Sequence, residues 1–159
     1  MAMPDVATPA PGFELRDQSG ESVSLAVQRG RWVVLYFYPK DNTPGCTKEA
    51  CNFRDNYEAI TATGAVVLGV SADSGASHTR FAQKYEIPFK LLVDDQDHGV
   101  ARAYGAWGTR KNYGREYEGI IRSTFVIDQE GNIAKVWPKV KPDLHGEEVL
   151  TWLKAHATR

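Results

Sequence analysis

Cys46 and Cys51 are the only thiols in this 159-residue chain, and both fall in one stretch, Pro39-Lys40-Asp41-Asn42-Thr43-Pro44-Gly45-Cys46-Thr47-Lys48-Glu49-Ala50-Cys51. A thiolate is a strong nucleophile, so the first question is what would ionise them. Thr43 has the side chain of a helix N-cap, Pro44 suits the first helical position, and Gly45-Cys46 complete the first turn. Cys46 would then be the third helical residue, within reach of unpaired backbone N–H groups and the positive end of the helix dipole. A free thiol with a pKa of ~8.5 is only a few per cent ionised at neutral pH, and a helix N-terminus lowers that value. Cys46 is a candidate nucleophile on these grounds, although a lone cysteine more often reads as a small buried apolar residue.

The spacing adds a second constraint. On a regular helix five residues give ~7.5 Å of rise and ~140° of rotation, which sets the two Cα atoms ~8–9 Å apart. A disulfide needs them within ~7 Å. The pair cannot bridge until at least one turn unwinds, which is the behaviour of a switching redox pair and not of a static staple.

The totals narrow the class. The length suits one domain, residues 1–159, with residues 1–8 as a flexible lead-in. Nineteen Lys and Arg against twenty Asp and Glu leave no strong field for nucleic acid or an anionic membrane. No basic, apolar amino-terminal signal is present, and no apolar run approaches the ~20 residues of a membrane helix. Two cysteines in a chain of this size do not make a secreted disulfide scaffold, so a cytoplasmic protein is expected. His78, His98, His145 and His156 have no spacing typical of a metal site, and no metal or other cofactor is expected.

The elements that must position Cys46 can be read in order. Residues 13–16 and 22–25 alternate around an Asp/Gly turn and predict a small hairpin. Trp32-Val33-Val34-Leu35-Tyr36-Phe37-Tyr38, short and rich in β-branched and aromatic residues, predicts a buried central strand. A helix from Thr43 to about residue 63, ended by Gly64, carries Phe53, Tyr57 and Ile60 toward the core. Strands are predicted at 65–71, 91–93 and 119–128, with helices near 77–85 and 98–104. A glycine-punctuated loop spans 105–119, in which Trp107 and Tyr113 read as packing residues. A hairpin strand over 133–140 and a final helix over 146–156 close the chain. The order describes an α/β fold with a thioredoxin-like layout, a central mixed sheet flanked by helices, and places the site where the central strand hands over to its helix.

Several of these residues together resemble the peroxiredoxins. Pro39-x-x-x-Thr43-x-x-Cys46 matches their active-site signature, and a cysteine at the fifth following position is that of the bacterioferritin-comigratory, Q-type subgroup. Phe13-Glu14-Leu15, Asp17-Gln18-x-Gly20, Val70-Ser71-x-Asp73-Ser74, Lys84-Tyr85 and residues 117–125 extend the resemblance over nearly the whole chain. It implies that Cys46 is the peroxidatic cysteine and that Thr43 helps hold the peroxide. It further implies that Pro39 shields the site, that Arg122 lowers the cysteine pKa and contacts the peroxide, and that Glu49 orients this arginine. Cys51 would be the resolving cysteine of an intrasubunit disulfide, reduced by thioredoxin or a similar dithiol. No metal, haem or flavin is implied, and a monomer suffices. Residue chemistry alone leaves other readings open: Arg122 as an ordinary strand ion pair, Glu49 as a solvated helix residue, Cys51 as structural, and Thr43 as a cap only. Two rival functions are a general thiol–disulfide oxidoreductase, disfavoured by the absence of Cys-x-x-Cys, and a redox-sensing binding protein.

Overall fold

Strand β3 (Trp32–Phe37) runs through the middle of a seven-stranded sheet. Its side chains divide between two apolar layers, Val34 and Tyr36 on one side and Val33, Leu35 and Phe37 on the other. That is the pattern of a strand covered on both faces. The computed structural model describes residues 2–112 and 114–157. In it β3 pairs parallel with β4 (Ala65–Ser71) and antiparallel with β8 (Ser123–Ile127). With β1 (Glu14–Arg16), β2 (Ser22–Ser24), β5 (Lys90–Val93) and β9 (Ile133–Trp137), the order is β2-β1-β5-β4-β3-β8-β9. Helices α1 (Pro44–Asp55), α2 (Tyr57–Ala62), α3 (Gly75–Tyr85) and α5 (His145–His156) cover the Tyr36 side. The short α4 (Gly99–Ala103) and the amino-terminal segment cover the Phe37 side. The expected α/β arrangement, a mixed sheet flanked by helices, is the one that forms.

Four local expectations are corrected. The long cysteine helix is two helices, because Asn56 leaves helical geometry (φ −106°, ψ 4°) and its side-chain amide donates to the Asn52 carbonyl at 2.8 Å. Such local bonds compete with the helical ladder. Gly64 still ends the second helix, at φ 91°, where a side chain would be strained.

Residues 105–119 are not a loop but mostly an antiparallel hairpin, β6 (Trp107–Asn112) and β7 (Arg115–Ile120), outside the main sheet. Most of β7 is exposed, so it carries no buried face for the sequence to advertise. Trp107 packs against the Phe37 layer as expected, and Tyr113 lies outside the described residues.

The strand expected over 119–128 is interrupted at Ile121 and Arg122, which form a joint between β7 and β8. Here the Ile121 N–H donates to the Ala106 carbonyl, and the Arg122 carbonyl accepts from the Val140 N–H. Ile120 therefore enters the Phe37 layer, while Val126 lies on the α1 side. Finally, the described part of the lead-in is tied down. The Ala7 N–H donates to the Ile133 carbonyl at 2.7 Å, the Ile133 N–H donates to the Thr8 carbonyl at 2.8 Å, and Met3 packs against the Phe37 layer. No helix among the described residues is long and apolar enough to cross a membrane.

Candidate active site

Thr43 is the N-cap of α1 by its backbone: it is extended (φ −91°, ψ 156°), and its carbonyl accepts the first helical bond, from the Thr47 N–H at 2.8 Å. Its hydroxyl does something else. Instead of capping a helical N–H it donates to the Lys40 carbonyl at 2.8 Å. The first-turn N–H groups receive no side-chain cap, so they remain available to an incoming oxygen, and the Thr43 oxygen keeps lone pairs that can accept from one.

Cys46, third in the helix and 1% exposed, faces Arg122. Arg122 Nη2 lies 3.3 Å from Cys46 Sγ, while Nη1 donates to Glu49 Oε1 at 2.7 Å. One guanidinium thus uses both arms, one for the sulfur and one for a carboxylate a single helical turn further on. Gly45 makes room for it, because a Cβ there would sit 3.1 Å from Nη2. Burial opposes the charge on Arg122, but the negative charges of Glu49 and Cys46 outweigh it and raise the arginine pKa. Glu49 is completely buried, and its Oε2 has no hydrogen-bond partner among the described residues. Burial pushes its carboxyl up to about 7, with the Arg122 cation pulling the other way.

A measurable stability change follows from Glu49. Its folded pKa stands above the ordinary 4.5, so between these values the folded chain holds more protons than the unfolded one. Stability contributed by the neutral carboxyl is present at low pH and is lost as pH rises through that window. The difference in unfolding free energy between wild type and Glu49→Gln should fall by on the order of 3 kcal/mol between pH 4.5 and 7, measured by urea denaturation of the reduced proteins. A pH-independent difference would refute it.

Pro39 and Cys51 are half-buried, Pro39 in the loop between β3 and α1 and Cys51 on α1. Both cysteines are free thiols, as an intact helix between them requires. On the outer side of Arg122 a cleft of about 600 Å³ opens, lined by Thr109, Arg110, Lys111, Ile121, Lys139 and Val140.

A second polar cluster holds the loop that carries Pro39 and Thr43. Asp41 Oδ1 accepts from the Tyr38 hydroxyl at 2.5 Å; its Oδ2 lies 2.6 Å from His78 Nδ1 and accepts from the Ser77 hydroxyl at 2.9 Å. His78 Nε2 points at the Leu92 carbonyl at 2.9 Å, so it must carry a hydrogen. A proton also lies between Nδ1 and Oδ2, since two bare lone pairs at that distance would repel. Asp73 accepts from the Asp41 N–H and the Ser71 hydroxyl. Asp41, Asp73 and His78 bring donor atoms within 4.8 Å of one another, as a metal site would, but internal hydrogen bonds already use them. The cluster is a clamp between the loop and α3. The sequence offered no spacing signal for it, because Asp41 and His78 lie 37 positions apart. The signal available in retrospect was the apolar company of His78 on an amphipathic helix.

Comparison with known proteins identifies the family. Residues 6–136 match the AhpC/TSA family. The chain is 50% identical over 150 residues to Peroxiredoxin Bcp of Bacillus subtilis, covering 94% of this chain and 95% of that protein. It is 45% identical over 148 residues to Peroxiredoxin Bcp of Escherichia coli K12, covering 93% and 94%. A structure of the Xanthomonas campestris bacterioferritin comigratory protein, solved for insight into its alkyl peroxide reduction activity, superposes with a TM-score of 0.88 at 38% identity, covering 97% of this chain and all of that one. The chain belongs to the AhpC/TSA family, as a peroxiredoxin of the bacterioferritin-comigratory, Q-type group. Its activity is that of a thiol-dependent peroxidase, which takes peroxide as substrate and a thiol as reductant.

Proposed function

We propose that Cys46 is the peroxidatic residue and that Cys51 resolves it within the same subunit. The observation that carries this reading is the Arg122 guanidinium held by buried Glu49 with its other arm 3.3 Å from Cys46 Sγ. The Cys46 thiolate attacks the terminal peroxide oxygen; an S–O bond forms, the O–O bond breaks, and an alkoxide or hydroxide leaves and takes up a proton. Arg122 and the free N–H groups of the first turn stabilise the charge that grows on that leaving oxygen. Thr43 accepts a hydrogen bond from the peroxide, and Pro39 shields the sulfur. Glu49 fixes Arg122. The first turns of α1 then unwind, Cys51 displaces water from the sulfenic acid, and thioredoxin or a similar dithiol reduces the resulting disulfide.

The cleft beside Arg122 gives the carbon part of an organic hydroperoxide a place to lie, so such substrates are included along with hydrogen peroxide. The alkyl peroxide activity ascribed to the Xanthomonas relative supports this. Resolution inside one subunit needs no second copy, and the reading is of a single-domain, cytoplasmic monomer without metal, haem or flavin. Peroxide-dependent NADPH oxidation in the presence of thioredoxin reductase and thioredoxin tests it. Sustained turnover with hydrogen peroxide and with an alkyl hydroperoxide is expected. A single reaction of Cys46 that no dithiol reverses would sink the recycling scheme and favour a sensor.

A further inference from the structure

The amino end of α5 has no cap of its own, since Leu144 before it supplies no side-chain acceptor. Its cap comes from α1, where Asn52 Oδ1 accepts from the Glu147 N–H at 2.9 Å. Beside this bond the two backbones touch at Gly146: a Cβ there would lie 2.6 Å from the Asn52 carbonyl and 2.7 Å from the Phe53 nitrogen. Phe53 is fully buried, stacked on Tyr36 at 4.7 Å and edge-on to His145 at 5.6 Å. Residues 52 and 53 are therefore fastened to α5 immediately after Cys51, at the point where an unwinding of the segment between the cysteines must stop.

We propose that Asn52 is a positioning residue that confines the unwinding of α1 to residues up to Cys51, and thereby sets how quickly the Cys46 sulfenic acid is resolved. The inference rests on the peroxidase reading above. Two reactions compete for the sulfenic acid. In one, the Cys51 thiol forms the S–S bond and the sulfenic oxygen leaves as water. In the other, a second peroxide transfers an oxygen, giving sulfinic acid and an alcohol or water. The first needs the unwound helix, whereas the second proceeds with the helix intact.

The cap opposes unwinding because it holds Asn52 in helical register, from which its N–H and those that follow bond back to the carbonyls of the segment between the cysteines. Holding Cys51 in place adds little to the encounter itself, since only four residues separate the cysteines and loop closure over so short a span is already cheap. Loss of the cap therefore raises the unwound fraction more than it disturbs the meeting of the sulfurs.

The test uses reduced wild type, Asn52→Ala, Asn52→Asp and Glu147→Pro. The aspartate keeps a capping oxygen, and the proline removes the N–H being capped while leaving α1 untouched. Each protein is mixed with hydrogen peroxide, first at one equivalent and then in rising excess. Mass spectrometry follows loss of the Cys46 thiol and the yields of disulfide and sulfinic acid. Asn52→Ala and Glu147→Pro should lose the thiol at the wild-type rate but form disulfide roughly three- to ten-fold faster, needing correspondingly more peroxide for equal sulfinic yield. Asn52→Asp should return to wild type.

Unchanged partition in Asn52→Ala, or an Asn52→Asp protein as fast as the alanine variant, overturns the proposal. Should Asn52→Ala not fold, Glu147→Pro decides the matter by the same partition. Failure of wild-type Cys46 to react at all removes the peroxidase reading together with this one. Equal thiol loss with unmoved partition removes only the role of Asn52.

Discussion

A Cys51→Ser protein supplied with thioredoxin, thioredoxin reductase and NADPH should consume one equivalent of peroxide per chain rapidly, a second slowly, and then stop. Cys46 would still face Arg122, and nothing in the contact between them passes through Cys51, so the first reaction should keep its rate. The sulfenic acid would then have no thiol in the chain to displace its oxygen, and a second peroxide would carry it to sulfinic acid. Stopped-flow measurement of the first equivalent and coupled NADPH oxidation afterwards separate the two phases. Continued cycling at the wild-type rate would show that an external thiol reaches Cys46 directly, and Cys51 would lose its role.

Arg122→Leu should slow the reaction of Cys46 with peroxide by roughly 10³-fold, because it removes the donor aimed at the reacting sulfur and at the leaving oxygen. The same substitution strands a completely buried carboxylate, which ordinarily costs about 3–5 kcal/mol of stability. Glu49 can escape part of that by taking up a proton, so the destabilisation should be smaller at pH 5 than at pH 8. Arg122→Lys is the informative control. It keeps the charge, but a single ammonium cannot span Glu49 and Cys46 as the two arms of the guanidinium do, so most of the rate should remain lost. Competition for limiting peroxide against a thiol of known reactivity gives both rates. A leucine variant within ten-fold of wild type would refute the role of Arg122.

What could be read from the sequence was whatever advertises itself locally. Thr43, Pro44 and Gly45 announce a helix start, and the helix begins at Pro44. The apolar run at 32–38 announces a strand with both faces covered, and β3 is that strand. The grouping of Cys46, Glu49 and Arg122 came from resemblance and not from spacing, since Arg122 is 76 positions from the sulfur it touches. The β6–β7 hairpin escaped notice because its residues are mostly polar and solvent-facing, so no period-two apolar pattern exists to detect. The break in the strand expected over 119–128 is hidden for a related reason: the joint at Ile121 and Arg122 resets the alternation, and only the pairing of β8 with β3 reveals it. Asn56 acts through a particular hydrogen bond that leaves no trace in composition or periodicity, and for His78 only its place on the apolar face of α3 hints at burial.

The long reach from Cys46 to Arg122 has a consequence for how the protein comes into being. On the ribosome Cys46 emerges 76 residues ahead of its arginine. Until β8 adds beside β3, the sulfur has neither the guanidinium nor a finished pocket, and it is a thiol like any other. On the roles proposed for Cys46 and Arg122, fast reaction with peroxide should therefore arise only once β8 has paired with β3. Fast Cys46 oxidation should accordingly serve as an assay of long-range folding, since it requires residues 76 positions apart to have met.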